Sequence, residues 1–101
     1  MVVIILILSK KDFLRFKQQD INIFLLIYNK YKDDIYCYLR YLTSGKKDEI
    51  EDLFQDTFLS ALESVSRVHD RNKIDRWLIN IATNKSNDSK RSLVYFKRRQ
   101  A

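Results

Sequence analysis

Gly45 is the only glycine in this 101-residue chain, and there is no proline. Tight reversals draw on glycine for a positive φ and on proline for a preset one, so this chain has few places to turn sharply. Multi-stranded sheets need many such turns, whereas long helices need few. The chain therefore reads as all-α. Its length allows one domain with a modest core, and 46% apolar residues are enough to fill it.

Periodicity divides the chain into four helical segments. A short one spans about Asp12 to Gln18. The second runs from Asp20 to Leu42, with Phe24, Ile27, Tyr28, Tyr31, Ile35, Tyr38, Leu39 and Leu42 at three- and four-residue spacing. Thr43, Ser44 and Gly45 end it, and the glycine suits a left-handed C-terminal cap. The third starts at Asp48, whose carboxylate is placed to cap it while Glu51 reaches back. Its apolar face holds Ile50, Leu53, Phe54, Thr57, Phe58, Ala61, Leu62 and Val65. Arg67 to Arg71 reads as a polar loop. Asn72 is then placed to cap the fourth helix, where Ile74, Trp77, Leu78, Ile81 and Ala82 form the core stripe. The expected architecture is a small three- to four-helix bundle over residues 20–92, with an apolar and basic extension at 1–19 and a basic tail at 93–101.

Charge is distributed unevenly along this order. Residues 1–45 carry a net +3, residues 46–70 a net −4 and residues 71–101 a net +7, within a total of +6. A merely solvated surface would mix the signs throughout. The C-terminal third is the place to look for phosphate contacts.

Several function classes are disfavoured. Cys37, the only cysteine, cannot form an internal disulfide, which fits a reducing cytoplasm. With His69 the only histidine, a metal site would need isolated residues brought together, so neither metal nor cofactor is expected. No paired acid–base, nucleophile or phosphate-loop motif is present, and an enzyme is not expected. The run Val2 to Leu8 is apolar but far short of the ~20 residues a membrane helix needs. It reads as a packed helix or strand, or as residues translated from an upstream start, without stable membrane insertion.

Two faces stand out from helix chemistry. On the third helix Asp52, Gln55, Asp56, Leu59 and Glu63 form a strip opposite the apolar face. Acids in the first turn suit the helix dipole, which accounts for Asp48, Glu49, Glu51 and Asp52. It does not account for Gln55, Asp56 and an outward Leu59, which together look like a docking face. On the fourth helix Asn80, Asn84, Asn87 and Arg91 share a face, flanked by Lys85, Asp88 and Lys90. Asparagine is a poor helix former, and its amide, like guanidinium, contacts bases and phosphates. The pattern alone suits a nucleic-acid face and a solvated one equally. Leu93 to Arg99 interleaves apolar, aromatic and basic residues, compatible with strand stacking or with a plain helix end.

The residues from about Ile21 to Arg91 resemble region two of bacterial sigma factors, particularly the extracytoplasmic-function group. The resemblance rests on EDLFQDTFLSAL at 51–62 and WLINIATNKSNDSKR at 77–91, in family order and at family spacing. It implies a transcription initiation factor domain that binds core RNA polymerase at the β′ clamp helices through Asp52, Gln55, Asp56 and Leu59. It also implies recognition and melting of the −10 promoter element by the loop Val68 to Asp75 and by Asn80, Asn84, Lys85, Asp88 and Arg91. The loop sequence VHDRNKID departs from the family's small-residue pattern, and the apolar N-terminal run lies outside that pattern. Family members continue into a second domain, region four, for which a chain ending at Ala101 leaves no room. The expectation is a fragment, a truncated frame or a one-domain factor with a separate region-four partner. The competing reading keeps only the docking face, as a module that occupies polymerase or an anti-sigma protein without opening promoters. Trp77 reads as a core residue ahead of a base-stacking one.

Overall fold

The structure, a computed structural model, describes the backbone of residues 8–100 and the side chains of residues 8–90. It contains four α-helices: α1 (Lys10–Lys17), α2 (Ile21–Thr43), α3 (Lys47–Glu63) and α4 (Ile74–Gln100). Short 3-10 turns at Val65–Arg67 and Arg71–Lys73 join α3 to α4. No strand occurs among the described residues, as the near-absence of glycine and proline requires.

Each helix start has a local cause. The Ser9 hydroxyl accepts the Asp12 N–H at 3.1 Å and opens α1. Gln19 turns the chain through the left-handed region at φ 62°, and Asp20 then caps α2 by accepting the Asn22 N–H at 3.0 Å. The same carboxylate accepts Arg15 Nε at 3.0 Å, so Asp20 holds the α1–α2 turn from both sides. Partial desolvation pushes its pKa up, but the Arg15 hydrogen bond, the backbone N–H groups of Asn22 and Ile23 and the Arg15 charge outweigh it. The net result lies below the ordinary carboxylate value.

Two expected caps are corrected. Ser44 already adopts the left-handed conformation (φ 63°) and Gly45 follows at φ 86°. This double turn starts α3 early, with Lys46 as its N-cap and the Lys46 carbonyl accepting the Ile50 N–H at 3.0 Å. Asp48 therefore lies inside the first turn, where it complements the dipole but caps nothing, and no capping box forms. At α4 the capping side chain belongs to Asp70, which accepts the Asn72 N–H at 2.9 Å. The Arg71–Lys73 turn then runs straight into the helix, so Asn72 is within the lead-in turn and not its cap.

The core gathers the apolar stripes of α2, α3 and α4 around Ile27, Ile35, Leu39, Ile50, Ala61, Ile74, Leu78 and Ala82, all at most 2% exposed. An aromatic group of Tyr28, Tyr36, Phe54 and Phe58 seals α2 against α3, with Tyr28–Phe58 and Phe54–Phe58 centroids 5.0 Å apart. Thr83 Oγ1 donates to the Ile79 carbonyl at 2.8 Å, leaving its oxygen to accept the Tyr38 hydroxyl at 2.8 Å and tie α2 to α4. The short α1 contributes Phe16, fully buried, whose ring meets the Trp77 edge at 5.7 Å and 89°. Gln19 Nε2 also donates to the Leu62 carbonyl at the end of α3. Cys37 is exposed on α2.

Candidate functional site

Packing the apolar face of α3 inward places Asp52, Gln55, Asp56 and Leu59 outward, and all four are exposed. Leu59 keeps 57% of its surface accessible, which a free-standing apolar side chain on a polar strip does not gain from folding. Beside this strip α3 and α4 form a groove of about 530 Å³ whose walls include Glu49, Asp52, Asp56, Lys85 and Asp88. Four carboxylates against one ammonium give it a negative potential, and guanidinium is the cation whose geometry best matches paired carboxylates.

Farther along the same helices a second groove of about 380 Å³ is lined by Ser60, Glu63, Arg67, Asn84, Lys85 and Asp88. Lys85 and Asp88 thus belong to both grooves. The sequence grouped them with the exposed asparagines, but Lys85 is half-buried between α3 and α4 and stands beside the acidic strip.

A third hollow, of about 430 Å³, lies where the connection meets α4 and is bounded by Arg67, His69, Lys73, Arg76, Trp77 and Asn80. Three permanent cations, an imidazole, an indole and an amide outweigh the single Asp70 carboxylate on its rim, a net composition suited to a phosphate and a planar base together. Trp77 is half-buried: its ring meets Phe16 in an edge-to-face pair and also borders this hollow. Asn80 lines the basic hollow and Asn84 the second groove. The side chain of Arg91 and the stacking segment Leu93 to Arg99 lie outside the described side chains.

The connection between α3 and α4 is more ordered than a polar loop. Val65, Val68 and Ile74 are buried, with 4% exposure at most, and peg it to the core. Within this connection only Val68 to Asp70 lack a helical turn, and Val68 points inward. The signal was present in sequence as two valines and an isoleucine amid charges, spaced for a 3-10 turn and not for an α-helix. Among the described residues no group of three or more His, Cys, Asp or Glu is arranged to hold a metal. No helix among them is long and apolar enough to cross a membrane.

The all-helical bundle thus carries an acidic groove between α3 and α4 and a basic hollow at the head of α4. The sigma-70 region 2 family model matches residues 27–94, more than half of the chain. The chain belongs to that family of transcription initiation domains, through which sigma factors engage RNA polymerase and promoter DNA. No curated protein and no solved structure gives a significant match to it.

Proposed function

We propose that this chain acts as an extracytoplasmic-function-type region two. It docks on the β′ clamp helices of core RNA polymerase through Asp52, Gln55, Asp56 and Leu59. It recognises and helps to open the −10 element through the basic hollow and through Asn80, Asn84, Lys85, Asp88 and Arg91. The observation that carries this reading is a succession along α3 and α4: an acidic groove, a second groove that shares Lys85 and Asp88 with it, and a cationic, Trp-bearing hollow that shares Arg67 with the second. Carboxylates facing arginines at a partly desolvated surface set register and speed encounter. The hollow supplies charge for the strand and a flat ring for an unstacked base. The chain performs no phosphoryl chemistry; the polymerase does.

A second reading, a docking module that does not open DNA, is favoured by the placement of Lys85 and Asp88 in the acidic groove, which leaves fewer groups for DNA alone. One experiment separates the readings. Binding of the chain to core polymerase is measured beside an Asp52→Ala/Gln55→Ala variant, and strand opening beside an Asn80→Ala/Asn84→Ala variant. The proposal expects the first variant to lose polymerase binding at least tenfold. It expects the second to bind polymerase normally and fail to open DNA. A parent chain that binds polymerase without opening DNA supports the docking-only reading, full opening by the second variant removes Asn80 and Asn84 from the DNA face, and unchanged binding of the first overturns both.

A further inference from the structure

The sequence offers five cationic or protonatable side chains between residues 67 and 76 that look equivalent: Arg67, His69, Arg71, Lys73 and Arg76. The structure separates one of them. Arg67, His69, Lys73 and Arg76 are exposed around the basic hollow. Arg71 is half-buried, is not on that rim, and donates Nη1 to the Leu8 carbonyl at 3.2 Å. The partner lies 63 residues away in sequence, directly before the cap of α1.

That carbonyl is itself fixed in place. The Leu8 side chain is buried at 4% exposure, and the next residue, Ser9, accepts the Asp12 N–H with its hydroxyl and the Phe13 N–H with its carbonyl. One turn further on, Phe16 presses on Trp77. The segment from Leu8 to Phe16 thus meets the connection through the Arg71 guanidinium and the head of α4 through the Trp77 ring. Between these points in sequence lie Lys73 and Arg76, which line the hollow.

We infer that Arg71 is a positioning residue: its bond to the Leu8 carbonyl latches the α3–α4 connection to the segment before α1 and holds the basic hollow in its DNA-receiving shape. The other cations neutralise phosphate; Arg71 holds the turn that presents them. The inference rests on the reading of this hollow as a nucleic-acid site. It adds a role for the stretch ahead of α1, which lies outside the matched residues 27–94. A charge-assisted hydrogen bond from a half-buried guanidinium, once removed, should cost on the order of tenfold in whatever depends on the ordered turn.

The test uses the full chain with Arg71→Met, Leu8→Ala and the double variant. Hydrogen exchange of the amides of residues 68–73 is read in the free protein. Binding to an A/T-rich fork DNA with an unpaired strand, in complex with core polymerase, is read across a salt series. The latch predicts faster exchange in Arg71→Met, DNA binding weakened about tenfold, and an unchanged slope of affinity against salt. A phosphate contact would instead lower that slope by about one. Leu8→Ala keeps the accepting carbonyl but removes the buried side chain that anchors it, so it acts through the same bond and the double variant should fall short of the two single effects combined. Exchange equal to the parent's, a reduced salt slope, or fully additive variants would each overturn the latch. A parent chain that fails to bind the fork DNA defeats the functional reading, while the exchange measurement still decides whether the latch exists.

Discussion

Phe16→Ala is the substitution that most directly asks whether the bundle needs α1. Phe16 is completely buried, lies 5.7 Å edge-on from Trp77 and stacks at 6.2 Å on Phe13. Truncating a buried phenylalanine costs about 3–5 kcal/mol, since the lost transfer free energy adds to that of the cavity left behind. The edge-to-face pair contributes roughly 0.5–1.5 kcal/mol within that figure. A value near 4 kcal/mol is a large share of the ~5–15 kcal/mol available to a single domain. Urea denaturation provides the assay, followed by helicity and by fluorescence of Trp77, the only tryptophan. With a slope of about 1.5 kcal/mol per molar urea, the midpoint should fall by more than 2 M. Both probes should report one transition, because α1 and α4 share the same core. A midpoint shift under about 0.5 M would refute the reasoning and make α1 a separable appendage. So would a Trp77 signal that changes before helicity is lost.

Two further outcomes follow from single side chains. Ser86 is 1% exposed, and its hydroxyl has no partner among the described residues; Ser86→Ala should raise stability by about 1 kcal/mol, read as a higher thermal midpoint. Asp20→Ala should lower the thermal midpoint at neutral pH, since it removes the α2 cap and the Arg15 partner. Because the folded-state pKa of Asp20 is depressed, its stabilisation is complete above the unfolded carboxylate value of ~3.9 and is lost as pH falls through the folded value. Parent and variant melting curves should therefore converge in acid, and a gap that persists unchanged at pH 2 would contradict the assignment.

Most of the bundle was legible in the order of residues because it depends on periodicity. The stripes of α2 and α3, and of α4 as far as Ala82, are local patterns that burial simply realises. The caps were not legible in the same way. Asp48 satisfies every local rule for an N-cap, yet the two consecutive left-handed residues Ser44 and Gly45 deliver the chain into α3 from Lys46. Asn72 fits the local rule for an N-cap, but a 3-10 turn leads into α4 and gives the capping to Asp70. The exposed strip on α3 was visible as an apolar residue among acids. The union of Lys85 with that strip was not, since it depends on how α4 lies against α3. Nor does any local signal relate Arg71 to Leu8; the contact exists only because α1 folds back onto the connection.

Lys85 and Asp88 form a wall common to the acidic groove and its neighbour. Thermodynamic linkage attaches a consequence to that sharing. Any occupant that draws the Lys85 ammonium toward itself changes what the adjoining groove offers, and the resulting change in affinity must be equal in both directions. If DNA on α4 tightens the hold on polymerase by some factor, polymerase must tighten the hold on DNA by the same factor. If the two compete for Lys85, each must loosen the other equally. The helix pair thus works as a balance with one shared arm, and a full binding cycle on Lys85→Met would read its sign.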